Sequence, residues 1–327
     1  MNLFDGFGRS ISYLRLSVTD RCDFRCVYCM SKDMTFLPRH RILSIEEMTL
    51  VAQAFNELGV SKIRITGGEP LIRSNISLLF KNLRELPLKE ITLTTNGSQL
   101  IKHVRNLVDV GVKRINVSLD SLQADKFKTL TRTGKLKTVL KGIDAALEAG
   151  LKIKINSVIL KHRNMDEVRD LVGFAIGRQM DISFIEEMPL GVINEHQREK
   201  EFVSSADLRE HIAEVYPLTP STKNTGGPSR YWQVENTSNY IGFISPHSDN
   251  FCSGCNRVRV TTEGLLLLCL GNEHNLDLRQ IIRHNPNDIE GLKQHIVAAM
   301  QNKPEKHHFD LNGNKPQIVR FMNMTGG

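Results

Sequence analysis

No apolar stretch in this 327-residue chain approaches the ~20 residues that a membrane-crossing helix needs. Residues 1–10 lack the basic and then apolar pattern of a secretory signal. Both absences predict a cytoplasmic protein with no membrane partner. Also missing is any run of five basic residues, although Lys and Arg outnumber Asp and Glu by 43 to 36 and the net charge is +7. Scattered positive charge favours a small anionic ligand by raising its local concentration, and gives little support for nucleic acid. A merely soluble basic protein would show the same balance. Low-complexity segments are absent. Cysteine is scarce, at six residues. In a reducing compartment such cysteines read as metal ligands or catalytic groups rather than disulfides.

What is present is an ordinary globular composition, 40% hydrophobic and 24% charged. The length allows one α/β barrel with a smaller appendage. Short β-branched runs at 11–18, 63–66, 91–95, 115–118, 152–158 and 182–186 read as strands buried on both faces. Helix-like stretches lie between them, near 74–84, 100–110, 136–149 and 165–178, and one begins at Ser44 with Glu47 at the capping-box position. Gly59, Gly111 and Gly150 follow three of these helices as C-caps. The alternation predicts parallel strands with right-handed crossovers, as an incomplete barrel or an open doubly wound sheet. Beyond about Gly191 it stops. Short strands are expected at 231–234, 241–245, 257–260 and 265–268, and helices at 276–283 and 289–300. The boundary falls near residue 200, giving segments 1–200 and 201–327, and the tail from Met324 reads as mobile.

The six cysteines form two trios, Cys22-x3-Cys26-x2-Cys29 and Cys252-x2-Cys255-x13-Cys269. Three thiolates on a four-iron cluster leave one iron open to a small molecule. An open iron can deliver an electron directly to a sulfonium such as S-adenosylmethionine. Structural zinc is the competing reading and wants four protein ligands in a closed tetrahedron. For the first trio the nearest histidine is His40; for the second, His247 or His274 could complete a zinc site.

Other signals fall at predicted strand ends, where parallel α/β folds bind ligands. Gly67-Gly68-Glu69-Pro70 permits close backbone approach; Thr95-Asn96-Gly97, Ser118-Leu119-Asp120-Ser121 and Glu186-Glu187-Met188 share the same placement. Taken singly, each is equally a turn or helix cap. Arg257 and Arg259 lie at i and i+2, on one side of a strand, and suit phosphate or a solvated edge alike. Arg15 and Arg64 sit inside apolar strands and therefore need a carboxylate or an anionic ligand.

The first trio, with Tyr28 inside it and Arg15-Leu16-Ser17-Val18-Thr19-Asp20-Arg21 before it, resembles the radical S-adenosylmethionine superfamily. More narrowly, Arg64 to Leu71, Thr94 to Gly97, Asn116 to Asp120, the second trio with Arg257 and Arg259, and the Gly326-Gly327 ending resemble the molybdenum-cofactor biosynthesis protein A family, in order and over nearly the whole chain. The resemblance implies an α/β fold, an incomplete (β/α)6 TIM-type barrel closed by a smaller C-terminal α+β segment. It implies two 4Fe-4S clusters, on Cys22, Cys26 and Cys29 and on Cys252, Cys255 and Cys269. S-adenosylmethionine would contact Tyr28, Gly68, Ser118 and Met188. GTP would contact Arg15, Arg64, Thr95, Lys154, Arg257 and Arg259, with its base on the open iron of the second cluster.

The implied reaction is cyclisation of GTP to 3′,8-cyclo-7,8-dihydro-GTP, the first step of molybdenum-cofactor biosynthesis, through an adenosyl radical that takes the C3′ hydrogen. Implied partners are an external electron donor and, by product hand-off, cyclic pyranopterin monophosphate synthase; the chain would act as a monomer or homodimer. The glycine tail could thread into the channel. Asp23 stands where the family commonly has Asn, Ser31 where Pro is usual, and Ser183 where Arg is expected. A related enzyme that modifies a peptide and a two-zinc binding module are the alternatives; Lys154 and the Arg257–Arg259 pair count against the first, the strand–helix repeat against the second.

Overall fold

The computed structural model describes residues 2–193, 197–309 and 318–326. Its first part is a run of strand–helix units: β1 (Tyr13–Ser17), α1 (Ile45–Glu57), β2 (Lys62–Thr66), α2 (Ile76–Arg84), β3 (Glu90–Thr95), α3 (Leu100–Asp109), β4 (Arg114–Ser118), α4 (Ala124–Thr131), α5 (Leu136–Glu148), β5 (Lys152–Val158), α6 (Val168–Gly177) and β6 (Asp181–Ile185). The capping box that starts α1 is present: Glu47 N donates to Ser44 Oγ at 3.1 Å and Ser44 N to Glu47 Oε2 at 2.7 Å. Gly59, Gly111 and Gly150 end α1, α3 and α5 at φ 97°, 82° and 81°, the left-handed position at which a side chain would be strained.

The rest contributes α7 (Arg198–Glu201), α8 (Ser205–Ala213), β7 (Leu218–Pro220), β8 (Arg230–Val234), β9 (Tyr240–Ile244), β10 (Arg257–Val260), β11 (Leu265–Leu267), β12 (Asn275–Asp277), α9 (Leu278–His284), α10 (Ile289–Met300) and α11 (Met322–Thr325). All twelve strands belong to one sheet, in the order β12-β11-β10-β1-β2-β3-β4-β5-β6-β9-β8-β7. The stretch from β10 to β9 is parallel throughout. The hairpin partners β11–β12 and β8–β7 extend it antiparallel at either edge. The outer strands β12 and β7 do not pair, so the barrel is incomplete. The C-terminal segment therefore does not seal it by strand pairing; it adds one parallel strand to each edge of the six-strand arc.

Strand periodicity sorts the side chains. On β1, Leu14 and Leu16 are fully buried in the main apolar core that includes Met48, Val51 and Phe55 of α1. The alternate residues Tyr13, Arg15 and Ser17 face the other way, into the barrel. The expected helix at 276–283 divides into β12 and α9, because Asp277 caps α9 with its side chain on Gln280 N while 275–277 pair with β11. Helices α4 and α8 and strand β7 were not expected, although Phe127 and Leu130 are buried three residues apart on α4 and a Ser204–Asp207 capping box starts α8. The tail from Met324, read as mobile, instead forms α11 and docks, with Asn323 and Thr325 fully buried. Gly327 lies outside the described residues. No helix among the described residues is long and apolar enough to cross a membrane.

Candidate active site

One cavity of about 230 Å³ runs along the inner face of the parallel strands, from the first trio beyond the C-terminal end of β1 to the second trio before β10 and after β11, and all six cysteines line it. The first trio lies in the loop after β1. That loop is clamped by Gly67 and Gly68: Gly68 N donates to Thr19 O at 2.7 Å and Glu69 N to Arg21 O at 2.8 Å. A Cβ on Gly68 would stand 2.2 Å from Arg21 O, and one on Gly67 2.5 Å from Thr19 O. The glycine pair thus lets two backbones touch, and the cluster loop is what it approaches.

The six thiols are free, with no disulfide. Burial first, then Glu69, pushes the Cys22 thiol far up; burial and then Cys29 do the same to Cys26. Cys29 is pushed up to about 12 by burial, against a backbone hydrogen bond from Asn323. Buried neutral thiols facing a cavity suit a group that supplies its own positive charge, because a coordinated thiol is deprotonated outright. Burial also raises Cys252, whereas at Cys255 the charges of Arg257, Lys303 and Arg9 outweigh burial and lower it.

Among the described residues no three Cys, His, Asp or Glu side chains converge on a single-ion position. A zinc ion needs its thiolates together, each ~2.3 Å from one point. An iron–sulfur cluster takes each thiolate on a separate iron, so the sulfurs need not converge. Two sets of three thiols lining the cavity offer such donors. His247 is occupied elsewhere: its Nε2 lies 2.8 Å from Glu187 O and its ring packs edge-on against Phe202. His274 does not line the cavity.

Strand register places Arg259, Arg15 and Arg64 side by side on β10, β1 and β2. None of the three has a carboxylate partner among the described residues, and neither has Lys154 on β5. Arg259 donates to Gly326 O; Arg64 donates through Nε to the Tyr13 hydroxyl and through Nη1 to Thr94 Oγ1 at 3.0 Å; Lys154 Nζ donates to Tyr231 Oη at 3.3 Å and feels the charge of its register neighbour Asp181. Arg15 Nε is buried with no hydrogen-bond partner among the described residues. Burial, then neighbouring cations, lowers the pKa of Lys154 and Arg259. Tyr13 reports the same field: burial alone would raise its phenol, yet Arg64, Arg15 and Lys62 bring it down to about 7. Uncompensated buried charge of one sign marks a place built for a ligand of the other.

Of the residues expected to hold ligands, Tyr28, Gly68, Ser118 and Met188 line the cavity, as do Arg15, Thr95, Arg257 and Arg259. Arg64 and Lys154 are not lining residues; Arg64 stands in register beside Arg15 and contacts the lining residue Thr94. Tyr28 Oη donates to Asp120 Oδ2 at 2.6 Å. Burial raises the Asp120 carboxyl to about 6 and that of Glu69 to about 7. Ser183 is buried and pairs with Ser229 Oγ at 2.9 Å, so it brings no charge to the site.

Sequence reasoning missed Lys62, which lies over the Tyr13 ring at 4.8 Å and pairs with Glu90 at 3.0 Å. It stands one residue before the strand expected at 63–66. It missed Lys303 and His307 as well, which roof the cavity from the segment after α10. Lys303 is 2% exposed and its Nζ donates to Leu268 O, next to Cys269; His307 Nε2 is buried with no hydrogen-bond partner among the described residues. A Lys-Pro pair after a helix was the only available signal.

Residues 16–175 match the Radical SAM superfamily and residues 180–309 match Molybdenum Cofactor Synthesis C. A protein of Saccharophagus degradans named GTP 3′,8-cyclase is 58% identical over 327 residues, covering 99% of this chain and 98% of that protein. One of Pseudomonas entomophila with the same name is 58% identical over 328 residues, with the same coverage. Among solved structures, Streptococcus suis SuiB bound to S-adenosylmethionine superposes with a TM-score of 0.64 at 16% identity, covering 95% of this chain and 76% of that one, which speaks to the fold alone. On the strength of nearly full-length identity to these relatives, the chain belongs to the GTP 3′,8-cyclase family of radical S-adenosylmethionine enzymes.

Proposed function

We propose that this chain is a GTP 3′,8-cyclase, the lyase that begins molybdenum-cofactor biosynthesis, working with S-adenosylmethionine and two 4Fe-4S clusters. Identity to curated cyclases along its whole length supports the activity. The observation that carries the substrate is the row Arg259–Arg15–Arg64, with Lys154 on the same sheet, set without carboxylate ion pairs among the described residues on strands that run between the two incomplete thiol trios, the first after β1 and the second before β10. A triphosphate supplies the missing negative charge, and guanidinium groups hold phosphate through paired hydrogen bonds.

In this reading Cys22, Cys26 and Cys29 hold one cluster and Cys252, Cys255 and Cys269 the other. Tyr28, Gly68, Ser118 and Met188 hold S-adenosylmethionine. Arg15, Arg64, Thr95, Lys154, Arg257 and Arg259 contact GTP. When bound, the clusters and S-adenosylmethionine supply the adenosyl radical that removes the ribose C3′ hydrogen. The new bond joins C3′ to guanine C8, and one electron and one proton complete 3′,8-cyclo-7,8-dihydro-GTP. The chain's own work is placement. It holds the reacting atoms ~3–3.5 Å apart and keeps water from them. Gly326 helps to close the cavity: its carbonyl accepts from Arg259, and a Cβ there would stand 2.2 Å from Thr66 Cγ2.

Residues 1–200 form the radical-generating barrel unit in this proposal and 201–327 the unit that carries the second cluster and the tail. The enzyme takes its electrons from an external donor in the cytoplasm, acts as a monomer or homodimer, and passes its product to cyclic pyranopterin monophosphate synthase. Anaerobic reconstitution tests the reading. About eight irons per chain are expected from two four-iron clusters, and GTP with S-adenosylmethionine should give the cyclised nucleotide. Full turnover by a Cys269→Ala variant would remove the second cluster from the reaction.

A further inference from the structure

The loop after β3 touches the first trio in a way that ligand binding alone does not require. Asn96 is buried, and its Nδ2 lies 3.6 Å from Cys22 Sγ and 2.7 Å from Asp23 Oδ1. The amide cannot be turned over, because its Oδ1 accepts from Ser98 N at 2.8 Å. One Nδ2 hydrogen therefore serves the carboxylate and the other the sulfur. Asn96 N donates to Glu69 Oε2 at 2.7 Å, fixing the backbone. Asp23 is held in turn: its Oδ2 accepts from Ser98 Oγ at 2.6 Å and from Gln99 Nε2 at 3.0 Å. The result is a built arrangement in which a rigid amide N–H is aimed at one cluster ligand.

We propose that Asn96 is an outer-sphere hydrogen-bond donor to the Cys22 thiolate, aligned by Asp23, and that the pair sets the reduction potential of the first cluster. It rests on reading the first trio as a cluster site. Both are positioning residues. A donor to a ligating sulfur stabilises the more electron-rich, reduced cluster and raises its potential. A carboxylate one hydrogen bond away works in the opposite sense, since added negative charge disfavours reduction. The two side chains therefore make contributions of opposite sign.

The test is a redox titration of the reconstituted holoenzyme by electron paramagnetic resonance. The signal that changes on adding S-adenosylmethionine belongs to the first cluster; the other serves as internal control. Asn96→Ala removes the donor and should shift the first midpoint to more negative potential, with a roughly tenfold change in the oxidised-to-reduced ratio, about 59 mV for one electron. Asp23→Asn keeps an acceptor for the Asn96 amide and removes the charge, so it should shift the same midpoint to more positive potential. Neither should move the second cluster. A wild-type enzyme with no S-adenosylmethionine-sensitive signal would overturn the cluster reading itself. With that signal present, an unchanged midpoint in either variant, shifts of the same sign, or equal movement of both clusters would overturn this inference alone.

Discussion

Replacing Arg15 by Met isolates the charge argument, because Arg15 stands between Arg64 and Arg259 in register. Adjacent strands lie ~4.8 Å apart. Two unit charges at about 5 Å repel by about 3 kcal/mol at an effective dielectric constant near 20. Guanidinium heads splay apart and water fills an empty cavity, so about 1 kcal/mol per neighbour is a more realistic figure. The substitution also forfeits the stacking of Arg15 over Tyr13, at 5.8 Å, worth about 0.5–1 kcal/mol. The balance leaves the iron-loaded, nucleotide-free enzyme more stable by about 1 kcal/mol, a rise of roughly 1–3 °C in Tm for a chain of this size. GTP affinity should fall about 10- to 150-fold, corresponding to the ~1.5–3 kcal/mol of a charged hydrogen bond. Calorimetry without nucleotide and anaerobic titration with GTP read the two effects separately. A variant that is less stable when empty and binds GTP as tightly as the parent would refute the reasoning.

Three further predictions follow from single contacts. Gly68→Ala forces a Cβ into Arg21 O and should cost about 1–3 kcal/mol as overpacking, with loss of first-cluster iron and of S-adenosylmethionine binding while the second cluster loads; full iron content in this variant would argue against the clamp. Tyr13 has its folded pKa lowered from 10.0 to about 7, so its contribution to stability is absent below about 7 and grows as pH rises toward 10; Tyr13→Phe should flatten that part of the stability–pH curve of the nucleotide-free protein, measured by urea unfolding, and an unchanged slope would contradict the assignment. Gly326→Ala meets Thr66 at a backbone φ of +75° and should undock the tail, lowering turnover more than S-adenosylmethionine affinity; turnover equal to the parent's would show that the docked tail is dispensable.

Much of the barrel was legible because its signals are local. Strands such as β2, buried along its whole length, must be apolar between their functional residues, and helices such as α1 carry their caps within four residues. The short helices α4 and α8 were passed over, although α8 carries its own capping box at Ser204 and Asp207. Both cysteine trios were visible by spacing alone. The cation that reaches the cavity from the far end of the chain, Lys303, was not. The tail's docking depends on Gly326 meeting Arg259 and Thr66, contacts across 67 residues in one case and most of the chain in the other. No local pattern encodes such pairings. Ser98 and Gln99, which brace Asp23, escaped notice because short polar residues before a helix look like a cap.

The central claim is that both trios share one cavity so that S-adenosylmethionine and GTP meet face to face. Its most direct test is turnover with GTP deuterated at ribose C3′, followed by mass analysis of the 5′-deoxyadenosine released. The account predicts one deuterium in that product for each cyclised nucleotide. Unlabelled 5′-deoxyadenosine, with deuterium retained at C3′ of the nucleotide, would contradict it.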